Sequence, residues 1–244
     1  MDFDTILEDV KGRFKGFHTD FEMDRKPRDL GEAILHAKEI AVISEIKPSS
    51  PSGKIRDVED PANVAVRMID GGACAISVLT EEKYFGGSLE NLRAVSGVSS
   101  VPVLRKDFIF DESQIDEAYY YGADSLLLIA SFFTERRLKQ FIEKSRKMGM
   151  EPLVEIHSKE DIKKAEGAGA RIFGINNRDK DTLKVDLNRT KLIEGVEGVK
   201  VSASGIKSIT DLKFVLKYCD AALIGTEIMK AENIEEKVRE FVRG

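Results

Sequence analysis

The chain has 244 residues, of which 42% are hydrophobic and 33% are charged. This composition supplies a full apolar core and a solvated surface, which excludes disordered and fibrous proteins. Lysine and arginine total 38 against 43 acidic residues, and the formal net charge of −5 is spread along the chain. We therefore expect no nucleic-acid partner, because such partners require a clustered basic surface.

Membrane insertion and secretion are also not expected. The longest run without a charged residue covers the 11 positions 94–104, whereas a membrane-spanning helix needs about 18 or more apolar residues. The acidic first residues lack the basic and then apolar pattern of a secretory signal, so we expect a cytoplasmic protein. Cys74 and Cys219 lie far apart beside apolar residues, which favours buried thiols over a disulfide or a metal pair.

Eight short apolar runs follow a polar N-terminal stretch, and they begin 20 to 32 residues apart. Each run is nearly continuous in Val, Ile, Leu and Ala, which is typical of parallel strands buried on both faces. The regular strand–helix period predicts a (β/α)₈ barrel, with a doubly wound open sheet as the alternative. The predicted strands are 41–46, 73–79, 101–104, 125–130, 152–156, 172–175, 199–203 and 221–224.

Helices are predicted between these strands. Leu138, Phe141 and Ile142 follow helical spacing, as do Leu212, Val215 and Leu216. Gly122 and Gly149 are expected at helix ends. Three helix starts are predicted from N-cap patterns: Asp60 before Pro61, Asp111 with Gln114, and Ser158 with Asp161.

The first 36 residues precede the first predicted strand. Their apolar positions recur at helical spacing, namely Phe3, Ile6, Leu7, Val10 and Phe14. We expect residues 1–36 to form a helical extension of a single domain that covers residues 1–244.

Polar residues stand where the predicted strands end. In an α/β barrel the carboxyl ends of all strands face one pocket, so these side chains are predicted to converge. Glu45 and Lys47 are two positions apart on an extended segment and therefore share a face. The histidines are scattered, so acid–base chemistry without a metal is expected. The strand-end residues are Glu45, Lys47, Lys106, Asp107, Glu155, Asn176 and Arg178.

The last two predicted strands end differently. Ser204 with Gly205, and Gly225 with Thr226, offer backbone amides and hydroxyl groups rather than charged side chains. Either pair alone is compatible with a simple tight turn. Two such pairs after adjacent strands favour a phosphate site, as is common in these barrels.

Several motifs resemble those of the indole-3-glycerol phosphate synthase family. The segment 44–53, SEIKPSSPSG, resembles the family signature, and 103–109, VLRKDFI, resembles its third-strand motif. The matches run in family order over nearly the whole chain, and the chain is identified as a member. The other matching segments are 77–81, 84–87, 153–157, 174–179 and 223–226.

The resemblance implies a reaction and a substrate. The enzyme closes a ring in 1-(2-carboxyphenylamino)-1-deoxyribulose 5-phosphate and then releases carbon dioxide and water, with no cofactor. It acts in tryptophan biosynthesis and is expected to be a monomer or a weak homo-oligomer. The small phosphorylated substrate is the expected partner.

The resemblance also implies roles for individual residues. Lys106 protonates the carbonyl oxygen, Lys47 binds the substrate carboxylate and assists dehydration, Glu45 tunes Lys47, and Glu155 is the base for loss of water. Asn176 is placed with these catalytic residues and orients the substrate. The substrate-binding residues are Arg178, which orients it, Phe85 and Phe108, which pack on the ring, and Ser50, Ser204, Gly205, Gly225 and Thr226, which receive the phosphate.

One position departs from the family pattern. The seventh strand of the family ends in Glu-Ser-Gly-Ile, whereas this chain has Ala203 before Ser204. We expect slower or retuned catalysis rather than another reaction. The alternatives are another phosphate-binding barrel, such as a phosphoribosyl anthranilate isomerase, and a non-catalytic barrel that binds a sugar phosphate.

Overall fold

The structure is a computed structural model that describes residues 3–50, 53–179 and 182–244, with the side chains of Phe3 and Asp4 left out. The side chain of Phe3, which belongs to the predicted apolar stripe, lies outside the described part. Pro51 and Ser52 of the first motif also lie outside it.

Eight parallel strands close into a barrel, in the order β1-β10-β9-β8-β7-β6-β5-β4. The last strand pairs with the first, because Ala41 is in register with Ala221. The predicted barrel is confirmed, and the open-sheet alternative is wrong. The barrel strands are β1 (Ala41–Ile46), β4 (Ala75–Leu79), β5 (Val103–Lys106), β6 (Ser125–Ile129), β7 (Leu153–Ile156), β8 (Ile172–Asn176), β9 (Val199–Ala203) and β10 (Ala221–Ile224).

Helices surround the barrel, and a small antiparallel hairpin, β2 (Ser49–Ser50) with β3 (Gly53–Lys54), follows β1. Of the helices in the described ranges, none is both long and apolar enough to cross a membrane. The helices are α1 (Phe3–Arg13), α2 (Leu30–Leu35), α3 (Pro61–Asp70), α4 (Leu89–Val98), α5 (Ser113–Tyr120), α6 (Glu135–Lys147), α7 (Lys159–Gly167), α8 (Ile209–Val215), α9 (Thr226–Lys230) and α10 (Ile234–Arg243), with 3₁₀-helices at Ala130–Phe132 and Leu187–Ile193.

Alternate residues of each strand divide between two apolar layers. Ile43, Leu104 and Leu153 pack inside the barrel, together with Val201, and Val42 packs in the layer between strands and helices. Both faces of each strand are therefore buried, which explains why the strand sequences are nearly continuous in apolar residues. The alternation also determines which polar residues point into the barrel mouth.

Two of the three predicted N-caps are confirmed. Asp60 accepts a hydrogen bond from the backbone N–H of Asn63, and Ser158 accepts one from Asp161. The third prediction is confirmed only for its pairing: Gln114 Oε1 accepts from the backbone N–H of Asp111, but α5 begins one residue later than predicted, after Glu112, which makes no side-chain cap. The Asp111 carboxylate also accepts from the N–H and hydroxyl of Ser113, at the start of the helix.

Both cysteines are free thiols, as predicted. Cys219 is buried and Cys74 is half-buried. Burial raises the pKa of each thiol to about 12, because the apolar surroundings disfavour the charged thiolate.

The N-terminal extension is only partly helical. It contains α1 and α2, but residues 14–29 between them form neither helix nor strand. That connection is held by Asp124, whose carboxylate forms ion pairs with Arg25 at 2.7 Å and Arg28 at 3.0 Å. The same carboxylate accepts from the backbone N–H of Val103 at 2.9 Å. A buried charge therefore anchors the extension at the amino end of β6.

We expect Asp124→Ala to lower the free energy of unfolding by about 2 to 3 kcal/mol, because it leaves a buried N–H unpaired and two guanidinium groups without their carboxylate. The figure is below that of a fully buried pair, since Arg25 and Arg28 are partly exposed. Urea denaturation of the wild type and the variant measures it. Asp124→Asn, which keeps the volume, separates the loss of charge from the cavity, and unchanged stability in both variants would contradict the anchoring role.

Candidate active site

The predicted catalytic side chains meet at the carboxyl ends of the strands because they occupy inward-facing positions. Glu45 lies two residues after Ile43 on β1, and Glu155 lies two residues after Leu153 on β7. Asn176 lies four residues after Ile172 on β8 and therefore points to the same, inner face. The period of two in each strand thus brings polar groups from distant parts of the sequence into one barrel mouth.

Glu45 lies between the two lysines. Its Oε1 is 3.5 Å from Lys47 Nζ, and its Oε2 is 3.7 Å from Lys106 Nζ. Glycine at position 225 makes room for this carboxylate, since a Cβ there would lie 2.6 Å from Glu45 Oε1. Within the described residues, Glu45 Oε2 is buried without a hydrogen-bond partner. This oxygen is therefore available to a hydroxyl group of a ligand.

Glu155 is held by two neighbours. Its Oε1 lies 2.9 Å from His157 Nε2 and accepts a hydrogen bond from Asn176 Nδ2 at 3.0 Å. Burial on its own raises the pKa of Glu155, but the hydrogen bond and charge of His157, with the charge of Lys106, lower that pKa to about 2. Glu155 is therefore a carboxylate throughout the neutral pH range.

Lys47 has a lowered pKa. Burial is the main cause, because it disfavours the charged ammonium group. The neighbouring charges of Lys106 and Arg178 lower the pKa further, and Glu45 opposes them. The carboxylate of Glu45 therefore favours the cationic form of Lys47, and a second negative charge nearby would favour it further.

One half of the cleft is a cavity of about 290 Å³ with aromatic and aliphatic walls. The Phe108 ring lies 6.1 Å from the Phe85 ring and 5.9 Å from the nearly parallel Phe132 ring. Lys47 Nζ lies 5.9 Å from the centre of the Phe85 ring. An aromatic ligand with an acidic substituent matches this combination of apolar walls and an ammonium group.

The other half of the cleft is a polar cavity of about 500 Å³. Its wall includes the turn after β9, where Ser204 and Gly205 have φ angles of 71° and 84°. It also includes Gly225 between β10 and α9, and Thr226 at the start of α9. Lys54, Lys207 and Lys230 add positive charge to this wall. Backbone amides at the start of a helix, together with hydroxyl groups and lysines, are suited to binding a phosphate.

The two cavities form one continuous cleft. Their shared lining includes Lys47, Lys106 and Arg178. Every site residue predicted from the sequence lines one cavity or the other, although their chemical roles stay predictions. The apolar cavity is lined by Phe85, Phe108, Glu155 and Asn176, the polar cavity by Glu45, Gly205, Gly225 and Thr226, and both by Lys47, Ser50, Lys106, Arg178 and Ser204.

Sequence reasoning missed His157 as a partner of Glu155. The two residues are two positions apart on an extended segment, so their shared face could have been found by the same argument as for Glu45 and Lys47. It also missed Glu81, which is buried and accepts from the backbone N–H groups of Tyr84 and Phe85. Arg13 of α1 lies 2.8 Å from the same carboxylate. Nothing in the local sequence indicates this long-range pair.

Ala203, the departure from the family pattern, lies inside the barrel mouth. Its side chain is buried with the interior cluster, and it lines the polar cavity with Glu45, Lys47 and Lys106. A glutamate at this position would enter the cavity that Lys47 and Lys106 line. The polar cavity of this chain therefore lacks the carboxylate that the family pattern has at this position.

Comparison with known proteins agrees with this site. The family model described as indole-3-glycerol phosphate synthase matches residues 5–241. The indole-3-glycerol phosphate synthase of Methanocaldococcus jannaschii is 47% identical, over 97% of this chain and 91% of the relative. That of Aquifex aeolicus is 44% identical, over 97% and 98%.

A solved 3-hexulose-6-phosphate synthase structure superposes with a TM-score of 0.68 at 17% identity, covering 83% of this chain and 98% of that one, which shows the fold alone. The sequence relatives are far closer, and the family model spans almost the whole chain. The chain therefore belongs to the indole-3-glycerol phosphate synthase family, whose members are carboxy-lyases of tryptophan biosynthesis.

Proposed function

We propose that this cleft converts 1-(2-carboxyphenylamino)-1-deoxyribulose 5-phosphate to indole-3-glycerol phosphate with the residues described above. The observation that carries the proposal is the position of Lys47, Glu45 and Lys106 at the junction of an aromatic cavity and a polar cavity. The substrate has the matching order of groups, with an aromatic acid at one end, a phosphate at the other and the reacting carbonyl between them.

The first step forms a carbon–carbon bond. The ring carbon that bears the carboxylate attacks the sugar carbonyl, and the carbonyl oxygen takes a proton from Lys106. A positioned acid of this kind contributes roughly 10² to 10⁴-fold to a rate. Phe85 and Phe108 hold the ring in the plane that the attack requires, which supplies orientation.

Loss of carbon dioxide follows. The electron pair of the breaking bond to the carboxylate returns to the ring and restores its aromaticity. Lys47 holds this carboxylate as an ion pair in the closed-ring intermediate.

Dehydration completes the reaction. The new hydroxyl group leaves as water with a proton from a lysine, and the proton on the neighbouring carbon or nitrogen passes to a base. Glu155 is the base in this proposal, and Asn176 holds its carboxylate in place through the bond at 3.0 Å. Because its pKa is about 2 before substrate binds, its negative charge also stabilises the cation that forms as water departs.

The substrate phosphate is bound in the polar cavity. Ser50, Ser204 and Thr226 supply hydroxyl groups, and Gly205 and Gly225 supply backbone amides, with Arg178 between the two cavities. No cofactor takes part in this proposal. We further propose one domain for residues 1–244, a cytoplasmic location, and a monomer or weak homo-oligomer that binds neither membranes nor nucleic acids. The anchoring of the extension by Asp124 supports the single domain.

We expect Ala203→Glu to change kcat or KM at least about threefold, because a second carboxylate beside the lysines stabilises their charged forms. The alkaline limb of the pH–rate profile should move to higher pH, since the new charge raises the pKa of Lys47. Steady-state kinetics from pH 6 to 10 measure both effects. Ala203→Gln has nearly the same volume without the charge, so identical profiles for the two variants would contradict the electrostatic explanation.

Mixing the purified protein with the anthranilate–ribulose phosphate substrate tests the proposed function. Appearance of the indole chromophore supports a synthase. Binding of the substrate without product would instead support a non-catalytic sugar-phosphate barrel. Neither binding nor product would indicate another phosphate-binding barrel.

A further inference from the structure

A ring of three hydrogen bonds lies behind the polar cavity, on the outer side of the barrel wall. It joins Asn177, which follows β8, Thr190 in the 3₁₀-helix 187–193, and Ser202 on β9. All three side chains are buried with no exposed surface. The proposed chemistry uses none of them, so their hydrogen bonds need another explanation.

The three hydrogen bonds run in the same direction around the ring. Asn177 Nδ2 donates to Ser202 Oγ at 3.0 Å, and Thr190 Oγ1 donates to Asn177 Oδ1 at 2.8 Å. The Thr190 and Ser202 oxygens are 2.9 Å apart. Thr190 has a single hydroxyl hydrogen, which is already used, so Ser202 must donate to Thr190. Each group therefore donates once and accepts once, and such bonds strengthen one another.

Asn177 has one amide hydrogen left, and it points to the turn after β9. Its Nδ2 donates to the carbonyl oxygen of Ser204 at 3.1 Å, and its backbone N–H donates to the carbonyl of Ala203 at 2.9 Å. One residue thus holds two consecutive carbonyl groups. The ring fixes the orientation of the amide, and the amide fixes the turn.

The turn needs such a constraint. Ser204 has φ 71°, a left-handed conformation that residues with a side chain rarely adopt. Conformations of this kind persist where surrounding groups impose them. The next residue, Gly205, also has positive φ, and a Cβ there would lie 2.2 Å from Val185 Cγ1. Ser204 lines both cavities and Gly205 lines the polar one.

We infer that Asn177 is a positioning residue for the phosphate group of the substrate, held by Thr190 and Ser202. It imposes the left-handed turn that presents Ser204 and Gly205 to the polar cavity. This inference rests on the proposed function, in which that turn receives the phosphate. The affinity for phosphate would then depend on Asn177, Thr190 and Ser202, which are buried and do not line the cleft.

The inference is tested by Asn177→Ala and Thr190→Val. Both should raise the KM for the substrate and the inhibition constant of inorganic phosphate roughly tenfold, the effect of losing about one well-placed buried hydrogen bond. The value of kcat should change less than about threefold, because Asn177 and Thr190 hold the turn after β9, whereas the proposed acid Lys106 and base Glu155 are carried by β5 and β7. Thr190→Ser keeps the hydroxyl group and should behave like the wild type.

A second measurement separates positioning from a general loss of stability. Glycine adopts left-handed conformations without strain, so Ser204→Gly removes the need for the constraint. In a Ser204→Gly background, Asn177→Ala should therefore change the phosphate inhibition constant much less than in the wild type. Equal effects in both backgrounds would show that Asn177 supports only the fold. Ser145→Ala, which removes another buried serine hydroxyl bonded to Phe141, is the matched control and should leave phosphate inhibition unchanged.

The outcomes distinguish this inference from the proposed function. If the wild type forms no indole product, the proposed function fails. If the wild type is active and both variants keep the phosphate inhibition constant within about twofold, the inference is overturned and the function stands. Thr190→Val preserves the side-chain volume, so it remains an informative folded variant, checked by thermal unfolding, even if Asn177→Ala does not fold.

Discussion

Replacing Lys106 with alanine is expected to remove nearly all turnover, with a fall in kcat of about 10² to 10⁴-fold. In the proposed mechanism this lysine is the acid that protonates the carbonyl oxygen in the bond-forming step. Its Nζ lies 3.7 Å from Glu45 Oε2 at the junction of the two cavities, where the proposed function puts the substrate carbonyl. Steady-state measurement of the indole chromophore at saturating substrate gives kcat for both proteins.

The control for this prediction is Lys200→Ala. Lys200 is also a strand lysine, but it lies near the amino end of β9, away from the cleft. That variant should keep the wild-type kcat. Circular dichroism and thermal unfolding of Lys106→Ala should show a folded barrel. Product formation at the wild-type rate by a folded Lys106→Ala protein would refute the assigned role.

The second large effect is expected for Glu155→Gln, which should lower kcat by about 10² or more. Glutamine keeps the size of the side chain and can accept the bond from Asn176, but it lacks both the basicity and the negative charge. The substitution should slow the loss of water, so an intermediate that has already lost carbon dioxide should accumulate. Rapid quenching with mass spectrometry detects it.

Glu151→Gln is the matched control for this variant, because Glu151 precedes the same strand at the opposite end of the barrel. Its carboxylate pairs with Arg146 at 2.6 Å, outside both cavities of the cleft. We expect the kcat of Glu151→Gln to equal that of the wild type. Equal rates for Glu155→Gln and Glu151→Gln would contradict the catalytic role of Glu155.

The pH dependence of stability gives Glu155 a second readout. Its pKa falls from an ordinary value of 4.5 to about 2 in the folded protein. The ionised group therefore stabilises the fold fully above pH 4.5, and that contribution is lost as the pH falls through about 2. We expect the stability difference between the wild type and Glu155→Gln to narrow over this range. Urea unfolding between pH 2.5 and 7 measures it, and a constant difference would contradict the lowered pKa.

Much of the fold could be predicted from local patterns. The strands at 41–46, 199–203 and 221–224 have the predicted bounds, because an apolar run buried on both faces is a strong signal. Two strand starts were placed two residues early. Ala73 lies in the turn that ends α3, because its N–H donates to the carbonyl oxygen of Met68. Val101 lies in another turn, because its N–H donates to the hydroxyl oxygen of Ser99.

The N-terminal extension was predicted less well. Its apolar stripe correctly indicates α1, but 14–29 is not helical. In that segment Phe17 and Phe21 pack against Tyr120 of α5, and Arg25 binds Asp124. Contacts with the barrel rather than internal helical bonds hold the segment, and such contacts leave no periodic signal in the sequence.

The sequence alone determined the period of each element, the family motifs and the set of polar residues at strand ends. These follow from the local alternation of side chains and from residue chemistry, both of which can be read within a few positions. The tertiary structure decided which of those residues meet. Glu45 between Lys47 and Lys106, His157 on Glu155, and the ring behind Ser204 all depend on barrel closure and on the approach of segments far apart in the chain, which no local pattern encodes.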